Sequence, residues 1–86
     1  MFYVYILYSN LVDRFYIGST NALFQRLNEH RNGFSQYTKQ ANDWELVYSK
    51  EFSTRAEAVQ FERYLKSWKD RAKLVELAGR SVGVGS

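Results

Sequence analysis

Along residues 2 to 9, FYVYILYS, side chains alternate on a β-rich background. The pattern predicts a strand with Phe2, Val4, Ile6 and Tyr8 on one face and Tyr3, Tyr5 and Leu7 on the other. Asn10 to Asp13 carries turn residues, and RFYIGST at 14 to 20 predicts the return strand of a hairpin. A register that sets Tyr5 opposite Tyr16 stands the two phenols side by side on one face, whereas a slip of one residue separates them. Thr20 is the expected N-cap of a helix over 21 to 32, and Asn32-Gly33 is its expected end. At about 100° per residue, Leu23 and Leu27 set the buried stripe of that helix. His30 falls inside the stripe and Arg26 on its edge.

Residues 34 to 43, FSQYTKQAND, are polar without a clear period and predict a loop, and WELVYSKEF at 44 to 52 predicts a third strand. Thr54-Arg-Ala-Glu57 fits a capping box and opens a longer helix whose apolar stripe is Ala58, Phe61, Leu65 and Trp68. A break is expected at Lys69-Asp70, with Asp70 capping a final short helix through Ala78 that Gly79 closes. The tail from 79 to 86 is expected to be flexible. The order is β-β-α-β-α-α. A hairpin plus one further strand gives a small, largely antiparallel sheet flanked by helices, an α+β architecture, in one domain over 1–78.

Composition narrows the chemistry. The chain of 86 residues has room for one small domain, whose thin stability margin its 17% aromatic content offsets with buried ring area. There are no cysteines, which excludes disulfides, thiol catalysis and Cys-based zinc sites. One histidine excludes a His-rich metal cage, so a metal site must use carboxylate and water oxygens, which suits Mg²⁺ or Mn²⁺. No apolar run approaches the ~18 residues of a membrane span. MFYVYILYS lacks the basic start of a signal peptide, so a cytoplasmic protein is expected. The net charge of +3 is mild. It gains meaning only because Arg55, Arg63, Lys66, Lys69, Arg71 and Lys73 crowd one segment against Glu57, Glu62 and Asp70, a focused basic patch of the kind that contacts nucleic acid.

Five polar positions sit where simple packing does not need them. Tyr5 and Tyr16 lie on adjacent strands, Arg26 and His30 share a helix face at i, i+4, and Glu62 interrupts the apolar stripe between Ala58 and Leu65. Each has an ordinary explanation. Tyrosine is common in half-buried strands, a lone histidine is usually a satisfied core residue, and Arg26 can lie along its helix edge. Glu62 can pair with Arg26 as a structural bridge or with Lys66 at i+4. Together the five could serve a phosphodiester, which needs a cation, a metal ligand and a base for the attacking water. No nucleophile elbow and no phosphate-binding glycine loop competes.

The tyrosine motifs YVY at 3 to 5 and YIG at 16 to 18, followed by Arg26, His30 and Glu62, resemble the GIY-YIG endonuclease superfamily. FYIGSTNALFQRLNEH and EAVQFERYLKSWK resemble its small single-domain bacterial UPF0213-type members. Tyr3 stands where the name motif has glycine. The resemblance implies a three-stranded antiparallel sheet flanked by helices and metal-dependent cleavage of DNA phosphodiesters, with a link to repair of branched or damaged DNA. It gives Tyr5 and Tyr16 to the attacking water and scissile phosphate, with Tyr5 as general base, and His30 as the group that takes up a tyrosine's proton. It gives Arg26 to the phosphate oxygens and Glu62 to one divalent ion, Mg²⁺ or Mn²⁺. Arg26, Arg63, Lys66 and Lys69 are the expected nucleic-acid contacts. The five residues are expected to converge on one concave patch. The rival expectations are a nucleic-acid-binding module with a degenerate site, using exposed rings such as Tyr37 and Trp44, and a nuclease that fires only with a protein partner.

Overall fold

A computed structural model describes residues 1–32, 38–68 and 71–78. The elements follow the expected order: strands β1 (Phe2–Ser9) and β2 (Arg14–Thr20), helix α1 (Leu23–Arg31), strand β3 (Glu45–Phe52), and helices α2 (Arg55–Lys66) and α3 (Arg71–Ala78). A single 3₁₀ turn, Thr38–Gln40, precedes β3 inside the segment expected to be a loop. The strands form one antiparallel sheet with β1 in the centre, in the order β2-β1-β3. Gly33, Tyr37, Lys69, Asp70, Gly79 and the tail lie outside the described residues.

The alternation along β1 divides the core in two. Val4 and Ile6 pack with Ile17, Ala58 and Leu65 beneath α2, while Tyr5 and Leu7 pack with Leu27 and Trp44 beneath α1. Each fully buried aliphatic side chain contributes about 1.5–3 kcal/mol of transfer free energy, and β1 supplies several to each layer. Strand β3 carries a bulge: Ile6 faces Tyr48 but Leu7 faces Leu46. The extra residue lets Leu46 stay with the Leu7 layer while Val47 and Tyr48 both pack with the Ile6 layer.

Three local expectations need correction. The hairpin pairs Tyr5 with Gly18 and Leu7 with Tyr16, so the tyrosines are diagonal neighbours and not directly opposite. Thr20 does not cap α1. Its hydroxyl accepts from the Ala22 N–H two residues on, a tight local turn, and the helix starts at Leu23 with Ala22 at the cap position. Trp44 is 2% exposed, anchored in the Tyr5 layer, and offers no open ring to a base. By contrast Thr54 does cap α2: its hydroxyl oxygen accepts from the Glu57 N–H at 3.2 Å.

The turn of the hairpin is tied down. Asp13 adopts a positive φ of 53°, which aspartate tolerates, and its carboxylate accepts from the Tyr8 hydroxyl at 2.5 Å. The buried Ser9 hydroxyl donates to Asp43, whose other oxygen accepts from the Leu11 N–H. The Ser9 bond, and behind it that backbone N–H, hold the Asp43 carboxyl below its usual range.

Candidate active site

Gly18 sets the geometry of the tyrosine face. A Cβ at this position would lie 2.6 Å from the Tyr5 hydroxyl oxygen, 2.7 Å from Tyr5 Cζ and 3.1 Å from Tyr16 Cε2. The missing side chain is the space into which the Tyr5 ring folds across β2. The two rings then sit with centroids 6.2 Å apart. The two-residue difference from the expected register leaves both on one face, because side-chain direction repeats every second residue.

Helix α1 delivers the next two groups. His30 is fully buried, and its Nε2 shares a hydrogen bond of 2.9 Å with the Tyr5 hydroxyl. Its ring lies 4.7 Å from that of Tyr16. One turn earlier, Arg26 is electrostatically coupled to both phenols, and its Nη1 pairs with Glu29 Oε1 at 2.7 Å. This i, i+3 partner holds the guanidinium at the edge of the tyrosine pair. The bridge between Arg26 and Glu62 allowed by the sequence does not form.

Burial governs the protonation of this cluster. It pushes the Tyr5 phenol up to about 12, against the opposing effect of Arg26. Burial also pushes His30 down to about 4, with the Arg26 charge adding to it and Glu29 opposing. Arg26 favours a Tyr5 phenolate, but in the free protein burial outweighs it. At neutral pH the pair is a protonated phenol beside a neutral imidazole. When the imidazole carries its hydrogen on Nδ1, the phenol donates and Nε2 accepts.

This has a signed consequence for stability. Between about pH 4 and 6.5 the unfolded chain binds a proton at His30 that the folded protein refuses. Stability should therefore fall as pH drops through that window, by roughly 2–3 kcal/mol in all. Between pH 10 and about 12 the folded protein keeps a Tyr5 proton that the unfolded chain has shed, so stability should fall again as pH rises. Urea midpoints from pH 4.5 to 11.5 check both limbs. Since His30 is the only histidine, a midpoint that stays flat from pH 7 to 4.5 excludes a buried neutral imidazole.

Glu62 arrives differently. It projects from α2, the helix covering the Ile6 layer, whereas the Tyr5–His30 cluster lies in the layer covered by α1. Its Oε1 accepts from the Ser19 hydroxyl at 2.7 Å and its Oε2 pairs with Lys66 Nζ at 2.6 Å. The structure thus gathers Tyr5, Tyr16, Arg26 and His30, and sets Glu62 across the edge strand β2, on the residue next to Gly18. The two halves are still in electrostatic contact, because the Glu62 charge adds to the upward push on Tyr5. Among the described residues no group of three or more His, Cys, Asp or Glu side chains could hold a metal. Arg63 and Lys66 are exposed on α2, and Lys69 lies outside the described residues.

Gly18, read in the sequence only as the end of the YIG motif, gives clearance for the Tyr5 ring. Two further supporting residues are not singled out by the sequence: Ser19 orients Glu62 and Glu29 orients Arg26. Of these two, only Glu29 has a readable signal, an opposite charge three residues along the same helix.

Paired tyrosines on a small antiparallel sheet, an arginine and a histidine on one helix and a glutamate on another make up the candidate site. The GIY-YIG catalytic domain family matches residues 1–74, and the chain belongs to that family, which is a nuclease superfamily. Its relatives are UPF0213 proteins. It is 40% identical over 55 residues to UPF0213 protein YazA of Bacillus subtilis (strain 168), a match covering 63% of this chain and 56% of YazA. It is 35% identical over 83 residues to UPF0213 protein CPE1444 of Clostridium perfringens (strain 13 / Type A), covering 95% of this chain and 88% of the relative. The solution NMR structure of UPF0213 protein BH0048 from Bacillus halodurans has the same fold, with a TM-score of 0.57 at 27% identity over 96% of this chain and 89% of that one. The chain spans just over half the length of YazA. No helix among the described residues is long and apolar enough to cross a membrane.

Proposed function

We propose that this protein is a divalent-metal-dependent endonuclease that hydrolyses DNA phosphodiester bonds, with branched or damaged DNA of the kind met in repair as its substrate. The observation that carries the reading is the Tyr5–His30 hydrogen bond of 2.9 Å, one helical turn from Arg26 on the same helix. A buried phenol–imidazole pair is a proton path, and a guanidinium is the cation suited to phosphate oxygens.

In this mechanism Arg26 exchanges its Glu29 partner for the phosphodiester and stabilises the charge that builds on it. Neutralising Arg26 with an anion also removes one of the two causes that depress His30. The imidazole then becomes a better proton acceptor. As Tyr5 takes a proton from the attacking water, it passes its own to His30 Nε2, so no free phenolate is required. Tyr16, ring to ring with His30, orients the water and the phosphate. A single carboxylate such as Glu62, held by Ser19, suits an ion that keeps most of its waters and takes the rest of its ligands from substrate phosphates. Mg²⁺ or Mn²⁺ bound there would supply charge neutralisation and an activated water. Arg63, Lys66 and Lys69 draw in the nucleic-acid backbone.

The close Lys66–Glu62 pair favours one second reading, because an ammonium already stands where the ion must bind. On that reading the domain binds nucleic acid and its site waits for a protein partner. Pure protein incubated with labelled single strands, duplexes, flaps and junctions of DNA and RNA, with and without Mg²⁺ or Mn²⁺, separates the two. The proposal requires ion-dependent cleavage of DNA. Tight binding with no cleavage in either ion supports the binding module and overturns the enzyme.

A further inference from the structure

Beside Glu62, between β2, α2 and α3, lies a cavity of about 390 Å³ that the mechanism does not use. Its walls are apolar and aromatic: Phe15, Ile17, Leu65, Trp68 and Leu74. Two further lining residues connect it to the site. Lys66 is the partner of Glu62, and Tyr16, the strand residue between Phe15 and Ile17, carries its ring on the opposite face of β2 in the tyrosine–histidine cluster.

We propose that this cavity receives an unpaired nucleobase, so that the substrate carries a single-stranded segment next to the scissile phosphate. The proposal rests on the nuclease reading above and adds the substrate class. Every base has a π-face, so aromatic walls accept any of the four. The volume holds one or two nucleobases and not the stacked pairs of a duplex. The charge around it is complementary to a nucleic-acid backbone: Lys66 lines it, and Lys73 Nζ lies 5.8 Å from the centre of the Trp68 ring. Among the described residues no acidic side chain lines it. A lysine on a flexible stem can move from the ring to a phosphate when a base takes its place. Outside the cavity, Tyr64 is 57% exposed and meets Trp68 edge-on at 5.3 Å, a second ring on which the strand can continue. Phosphates entering by this route pass Lys66 and then Glu62. An occupant peptide would need backbone partners, whereas these walls offer rings and the rim offers cations.

Trp68 is the natural probe, since the only other tryptophan, Trp44, is 2% exposed. The whole chain, in chelator so that nothing is cleaved, is titrated with an oligothymidylate, with an abasic strand of equal length and with a blunt duplex. The expected result is quenching of tryptophan emission by the oligothymidylate and binding about tenfold tighter than the abasic strand, the scale of one stacked base. Trp68→Phe should keep the fold and lose the quench. Equal affinity for base-bearing and abasic strands overturns the proposal, as does a quench that survives Trp68→Phe. Absence of quenching by every oligonucleotide overturns it too, and is what a cavity built for a protein segment predicts. Ion-dependent cleavage without base discrimination sinks only this proposal, while base discrimination without cleavage sinks only the nuclease reading.

Discussion

Glu62→Gln is expected to lose metal-dependent cleavage by at least ~100-fold while remaining folded and holding DNA as well as before. The amide keeps the shape and can still accept from Ser19, but it lacks the charge that attracts a cation. What the fold loses is the Lys66 pair, and an ion pair with an ammonium side chain 53% exposed is worth about 0–1 kcal/mol. The thermal midpoint should therefore fall by no more than about 4–8 °C. Binding should hold or tighten slightly because a negative charge near the phosphates has gone. Arg26→Ala should behave differently. Removing a preorganised donor to the reacting phosphate costs about 10²–10³ in rate, and binding weakens because a phosphate contact is gone. Cleavage, anisotropy and melting of both variants are the measurements. A Glu62→Gln protein that cleaves normally in Mg²⁺ removes the metal-ligand assignment, and one that unfolds would make Glu62 a structural residue.

The second large effect is expected at Gly18. In Gly18→Ala the new methyl meets Tyr5 Cζ at 2.7 Å, well inside contact distance. Tyr5 is 1% exposed and tethered to His30, so its ring cannot swing away without breaking that bond. Overpacking of this kind typically costs about 1–3 kcal/mol, which in a domain of this size lowers the melting midpoint by roughly 4–8 °C per kcal/mol. Cleavage should fall by more than the lost stability explains, on the order of 100-fold, because the proton path is displaced. A Gly18→Ala protein with the parent's midpoint and rate would show that the ring relaxes freely and that the close approach is not required.

Much of this was legible in the chain, and the remainder has physical reasons for being hidden. Alternation in FYVYILYS gave both faces of β1, and the spacing of Arg26 and His30 put them on one side of α1. Alternation specifies parity and not register, so a two-residue offset that pairs Tyr5 with Gly18 leaves no trace in the pattern. The bulge in β3 is equally silent, because one extra residue only shifts the phase of a short strand. Trp44 read as an open ring, since nothing local shows that Leu7 and Leu27 will close over it. The protonation of Tyr5 is hidden for a related reason. Arg26 is visible in the sequence, but the burial that outweighs it is made by parts of the chain distant from Tyr5. For Glu62, helical spacing offered Lys66 as readily as tertiary contact offered Arg26, and the local pair formed.

The position of β1 between its two partners also orders the assembly of the site in time. β1 meets β2 across residues 10 to 13 but meets β3 only after residues 10 to 44 have been placed. A hairpin forms in about 1–10 μs, and lengthening the loop to be closed adds only about 0.6 kcal/mol per doubling. The second pairing is therefore delayed more than it is penalised. Tyr5, Tyr16 and Gly18 all belong to the hairpin, so the phenols can adopt their diagonal arrangement early. Glu62 joins only when α2 docks on the completed sheet. The proton-handling half of the site is a product of local folding, and its carboxylate half is a product of global folding, so partial opening of α2 would release the carboxylate while leaving the tyrosine pair assembled.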